Sequence, residues 1–204
     1  MNRILKKVAI YSVAALLTVS QALALEIGKA APDFSAQDTH GKAVKLSDFK
    51  GKIVVLEWTN HQCPFVRKFY DAGKMQELQK NATDDGVIWL SIVSSAEGKE
   101  GYTSAEDANK IVADEHAFPT AKILDPKADI AKLYKAATTP HMFVIDKQGN
   151  LVYMGAIDSI NSPYPSDIPK ADNYVVKALD ALKAGKTPEI TTTKSYGCGV
   201  KYAS

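Results

Sequence analysis

The chain has 204 residues, with 25 Lys and Arg against 23 Asp and Glu for a net charge of +2, and only two cysteines. That is enough chain for one domain with its own core, and two cysteines are too few for a disulfide-stapled scaffold. There is no repeat, low-complexity tract or basic run of the kind that would suggest binding to nucleic acid or a membrane surface.

The first 24 residues have the three parts of an export signal. Arg3, Lys6 and Lys7 form a basic start, Val8 to Val19 is an apolar run broken by Tyr11, Ser12 and Thr18, and Ala22-Leu23-Ala24 is a small-x-small cleavage site. The alternative is a retained anchor, but the run falls short of the ~20 residues of a bilayer span. Cleavage before Leu25 removes those three basic residues, leaving 22 against 23 acids and a charge near −1. The expectation is a periplasmic or secreted protein without a stable membrane anchor, in a compartment where disulfides persist. Residues 25–190 form the domain and 191–204 a tail carrying Cys198.

In the mature region, Ala31-Pro32-Asp33-Phe34 leads into a small hairpin turned at His40-Gly41. Ile53 to Trp58 is a nearly continuous apolar run, as expected of a central buried strand. A short loop with His61, Gln62, Cys63 and Pro64 gives way to one helix with Phe65, Val66, Phe69, Met75 and Leu78 on its apolar side, weakened at Gly73. Val87 to Val93 is a second buried strand. A helix follows from about Ser104, its N-cap, to His116. Ile123-Leu124 is a short strand, and another helix runs from Asp125 or Pro126 to Tyr134. Met142 to Asp146 and Leu151 to Met154 flank the turn Lys147-Gln148-Gly149-Asn150. Asp172 caps a last helix with Val175, Val176, Leu179 and Leu182 inward, closed by Gly185. The order predicts an α/β domain, a mixed central sheet with helices on both faces and an N-terminal β-hairpin extension.

Cys63 stands where a buried strand hands over to a helix. Amides and the positive end of a helix dipole favour a thiolate there, and Pro64 suits the first turn because its missing N–H has no intrahelical partner. The other reading is an inert core cysteine in a redox-silent binding module that keeps only the fold. Thr139-Pro140 precedes a strand; a cis bond there would expose backbone groups beside the thiol for an extended substrate, so Thr139, Pro140 and Pro64 are the candidate substrate-binding residues. Cys198, between Gly197 and Gly199, is either the thiol that resolves oxidised Cys63 or half of a permanent bridge, worth ~4–5 kcal/mol for a loop that long. His61, Cys63 and His141 form an alternative copper or zinc set; the simpler reading of His61 is electrostatic tuning of the thiol.

Three segments, Trp58 to Tyr70, Thr138 to Asp146 and Tyr196 to Tyr202, resemble those of exported redoxin-domain proteins, peroxiredoxin-like members of the thioredoxin superfamily (the AhpC/TSA and redoxin group). The similarity runs from about Ile27 to Tyr202. It implies a thioredoxin-like fold, Cys63 as attacking thiol and Pro140 as the cis-proline. The implied activity is a thiol-dependent oxidoreductase, a peroxide reductase or a thiol–disulfide oxidoreductase. It would act on a peroxide or a protein or small-molecule disulfide, be reset by a reducing partner the sequence does not identify, and need no cofactor. Two positions depart from the pattern. Val66 replaces the second cysteine of thioredoxins, and Asn60 the Thr that precedes a peroxidatic cysteine by three residues. Arg67 is the only arginine after residue 24, and either polarises the substrate with Asn60 or is a solvated helix residue.

Overall fold

The computed structural model describes residues 25–202. The expected export signal and its cleavage site lie outside the described residues. Among the described residues no helix is long and apolar enough to cross a membrane.

Within those residues the chain forms, in order, β1 (Ser35–Gln37), β2 (Ala43–Lys45), β3 (Val54–Trp58), α1 (Pro64–Asp71), α2 (Lys74–Asp84), β4 (Ile88–Val93), α3 (Ala105–Asp114), β5 (Ala121–Leu124), α4 (Asp129–Tyr134), β6 (Thr138–Thr139), β7 (His141–Ile145), β8 (Leu151–Gly155), α5 (Tyr174–Lys183) and β9 (Cys198–Gly199). The main sheet has the order β5-β4-β3-β7-β8. β3 lies at its centre, parallel to β4 from Val54↔Ile88 to Trp58↔Ile92, and antiparallel to β7 from Val54↔Ile145 to Trp58↔His141. β1 and β2 form the expected hairpin. This is the mixed, helix-flanked thioredoxin-like arrangement.

All five residues of β3 are buried because both sheet faces are covered. Val55 faces a core with Val66, Phe69, Met75, Trp89, Val175 and Leu179. Val54, Leu56 and Trp58 face a second core with Phe34, Ile123, Tyr134 and Phe143. The alternation of a strand thus distributes one segment between two cores.

Four local expectations are corrected. The single helix after Cys63 is two, because the chain turns at Ala72-Gly73, where Gly73 has φ +69°, a left-handed backbone that glycine adopts without a side-chain clash. α4 begins at Asp129; Asp125 stands outside it, its carboxylate accepting from the Asp129, Ile130 and Ala131 amides at 2.9, 3.3 and 3.0 Å. The cap of α5 is Asn173, which accepts from the Val176 amide at 3.0 Å, while Asp172 pairs with Lys177. Val176 is 38% exposed, since the inward stripe follows Val175, Ala178 and Leu179 at helical spacing.

The tail is part of the domain. Thr193 donates its amide to Met154 O at 3.1 Å, and its hydroxyl accepts from the Ala156 amide at 2.9 Å. Further on, β9 pairs antiparallel with β6, Thr138↔Gly199 and Thr139↔Cys198.

Candidate active site

The loop between β3 and α1 fixes the first thiol. Asn60 O accepts from the Cys63 amide at 3.0 Å, and Asn60 Oδ1 accepts from the Gln62 amide at 2.8 Å. Cys63 has extended backbone (φ −74°, ψ 124°) at the N-cap of α1, and Pro64 opens the helix. Its carbonyl accepts from the amides of Val66 and Arg67. The thiol itself caps no amide; Sγ donates to Thr139 O at 3.2 Å. The Thr139–Pro140 bond is cis. Pro64, Thr139, Pro140 and Cys63 thus form one small patch at the end of the central strand.

Cys198 completes the patch. It is the ladder partner of Thr139, whose carbonyl accepts from Cys63 Sγ, and both cysteines are free thiols. Burial first, and then the nearness of Cys63, pushes the Cys198 thiol up to about 12, so it is protonated at neutral pH. Cys63 has no exposed surface. Beside it, the crevice bounded by Trp58, Asn60, Ser94, Thr139, Gly199 and Lys201 is too tight for a water molecule.

The polar candidates take other places. Both ends of the Asn60 side chain are engaged, Oδ1 by Gln62 and Nδ2 by Glu100 at 3.1 Å. The Arg67 guanidinium is held by Asp71 and Glu115. His61 is half-buried and held below the usual histidine range, by burial first and then by Lys122 and Arg67. His141 accepts from the Ala137 amide at Nδ1, 3.2 Å, which requires that nitrogen to be unprotonated. Among the described residues no three His, Cys, Asp or Glu side chains are placed to hold a metal ion, and His61, Cys63 and His141 do not form such a group.

Burial pulls His141 down to about 4, against the ordinary 6.5 it regains on unfolding. A depressed folded value means that stability is fully present above pH 6.5 and is lost as pH falls towards 4. Urea midpoints should therefore drop between pH 7 and 4.5, with His141 contributing about 2–3 kcal/mol of the loss. In His141→Asn that share should vanish, and an unchanged pH slope would contradict the assignment.

Two buried polar networks were not among the sequence-based expectations. Glu57, fully buried, accepts from Tyr70, Gln79, Trp89 and Ser91. Lys68 and Asp158 form a buried pair at 3.0 Å, their side chains 0% and 2% exposed, and the other Asp158 oxygen accepts from the Tyr196 hydroxyl. A signal existed in both cases. Glu57 interrupts a run apolar on both sides, and Asp158 follows the apolar Ala156-Ile157. A charge in such a place needs partners.

A lone N-cap thiol, a cis-proline facing it and a second thiol presented by an added strand define a thiol oxidoreductase on the thioredoxin-like fold. The chain belongs to the AhpC/TSA family, whose pattern matches residues 27–154. It is 31% identical over 128 residues to the thiol-disulfide oxidoreductase ResA of Bacillus thuringiensis subsp. konkukian, covering 63% of this chain and 68% of that one. It is 29% identical over 150 residues to the peroxiredoxin Bcp of Bacillus subtilis, covering 64% and 84%. An uncharacterized conserved protein from Geobacillus kaustophilus has a similar structure at TM-score 0.74 and 26% identity, covering 89% of this chain and 94% of that one. That coverage extends beyond the stretch matched to the family.

Proposed function

We propose that the protein catalyses thiol–disulfide exchange through Cys63 and Cys198, outside the cytoplasm. The observation that carries this reading is that two free thiols meet at Thr139, Cys63 from the helix N-terminus through its bond to Thr139 O and Cys198 as the ladder partner of that residue, on a strand edge able to pair with extended chain. Cys63, as thiolate, attacks one sulfur of a substrate disulfide; a mixed disulfide forms and the first substrate thiolate leaves and is protonated. Cys198 then loses its proton and attacks the Cys63 sulfur. The Cys63–Cys198 bond forms, the second substrate thiol leaves, and the substrate has gained two electrons and two protons. An external dithiol reverses these steps and resets the protein.

Pro64 starts the helix that Cys63 caps, and Thr139 and Pro140 border the attacking sulfur. Asn60 acts by holding the loop, through Gln62 and Glu100. Arg67 acts on the position of α1, through Glu115. These placements favour disulfides over peroxides, because the only arginine after residue 24 is already held by two carboxylates.

The first adduct on Cys63 tests the reading. In Cys198→Ser protein, one equivalent of oxidised glutathione should give a mixed disulfide at least ~10-fold faster than hydrogen peroxide gives a dimedone-trapped sulfenic acid. The reverse order would make the protein a peroxide reductase.

A further inference from the structure

The last strand occupies the place that the exchange reaction needs for its substrate. β9 pairs with both residues of β6, the edge next to the Cys63 sulfur. The chain beyond it is also tied down. The Val200 amide donates to Ala137 O at 3.1 Å, Lys201 O accepts from the Ala96 amide at 3.0 Å, and the Tyr202 hydroxyl reaches Ala136 O at 2.5 Å. Gly197 is shaped for this seat: its φ is +116°, and a Cβ there would stand 2.1 Å from Thr139 O. With β9 docked Cys63 has no exposed surface, so no disulfide reaches it in this state.

The seat has a latch. The Tyr196 hydroxyl donates to one Asp158 oxygen, and Lys68 binds the other at 3.0 Å and also donates to Ile160 O at 3.2 Å. The Tyr196 ring lies edge-on to Phe65, centroids 5.9 Å apart. Lys68 belongs to α1, which Cys63 caps, and Tyr196 precedes Cys198 by two residues. One buried carboxylate therefore links the helix of the attacking thiol to the strand of the resolving thiol. The exchange cycle uses none of the three groups, yet their burial means each depends on the others.

We infer that Tyr196, Asp158 and Lys68 are positioning residues that latch the tail as a built-in substitute for an extended substrate strand, shielding Cys63 in the resting protein and presenting Cys198 to it for ring closure. This rests on the two-thiol reading above. Entry of an extended disulfide-bearing peptide then requires β9 to leave β6, and its return brings Cys198 back to resolve the mixed disulfide. The peptide competes with the tail for the same backbone groups.

Tyr196→Phe removes the donor while keeping the ring on Phe65 and the Lys68–Asp158 pair. Gly197→Ala keeps every latch side chain and spoils the seat. In the reduced full-length protein at pH 7, both should raise the rate of Cys63 alkylation by iodoacetamide about tenfold or more, the scale of one hydrogen bond to a charged group. Both should also lower the effective concentration of Cys198 about tenfold, raising the potential of the Cys63–Cys198 couple against glutathione by ~30 mV. Loosened packing without a latch would speed alkylation and leave the couple unmoved. That result, or unchanged alkylation in both variants, overturns the proposal. Alkylation reports access to Cys63 whether or not any substrate is turned over. Failure of the exchange cycle itself would look different: an inactive wild-type protein with Cys63 still shielded.

Discussion

Cys63→Ser should abolish disulfide reduction, with a loss of at least ~10³-fold, because a hydroxyl at the same position is a far weaker nucleophile near neutral pH than a thiol. Cys198→Ser should behave differently. The first attack remains, so one equivalent of mixed disulfide should accumulate on Cys63, but the resolving step is gone. Steady-state turnover should fall about 10²-fold and be restored in part by an excess of a small thiol that resolves the adduct from solution. Serine at 198 leaves the β6–β9 backbone ladder in place, so formation of the first adduct should proceed at about the wild-type rate. Rapid-quench mass spectrometry with glutathione disulfide resolves both steps. Equal effects of the two substitutions would mean that Cys198 takes part in the attack itself, against a cycle in which Cys63 attacks alone and Cys198 resolves.

Glu57→Ala should cost about 4 kcal/mol or more of folding stability, the largest loss expected of any single substitution away from the thiols. The Glu57 carboxylate accepts from the Tyr70 hydroxyl at 2.9 Å, Gln79 Nε2 at 3.0 Å, Trp89 Nε1 at 2.8 Å and Ser91 Oγ at 2.8 Å. Alanine adds a cavity and leaves the Tyr70, Trp89 and Ser91 donors without that acceptor in a dry site, each at ~1–3 kcal/mol before relaxation, while Gln79 keeps the Tyr70 hydroxyl at 3.0 Å. Glu57→Gln keeps the volume and one acceptor oxygen, but turns an NH₂ group towards donors. It should fall between wild type and alanine. Urea unfolding at pH 7 measures both, with an unchanged slope expected if the denatured state is unaffected. A loss below ~1 kcal/mol for alanine would mean that Tyr70 and Trp89 find other partners.

Much of the fold was readable because its core strands announce themselves. Ile53 to Trp58 and Val87 to Val93 are apolar runs broken only by Glu57 and Ser91, which only a covered sheet tolerates. The Ser104 cap and the Gly149 turn were equally legible, each resting on local chemistry. The place of Cys63 at the head of a helix was readable for the same reason, since a strand–Cys–Pro–helix junction is a local pattern. The phase of α5 was not, because Val175 and Val176 are equally apolar and only packing against the sheet chooses between them. Nor was the β6–β9 ladder: two-residue strands carry no periodicity, and Thr139 and Cys198, which it pairs, are 59 residues apart in sequence. Gly197 shows the same gap. Its glycine reads as freedom in sequence, whereas in the fold it permits a close approach to Thr139 O. The Lys68–Asp158 contact spans a still larger separation, and a lone lysine on a helix reads as a solvated face until the partner segment covers it.

The most direct test is a single oxidation of the reduced wild-type protein with one equivalent of glutathione disulfide, followed by non-reducing peptide mapping. Stoichiometric linkage of the Cys63 and Cys198 peptides, with two glutathione thiols released, is the predicted result. A persistent glutathione adduct on Cys63 with Cys198 still a titratable thiol would contradict it.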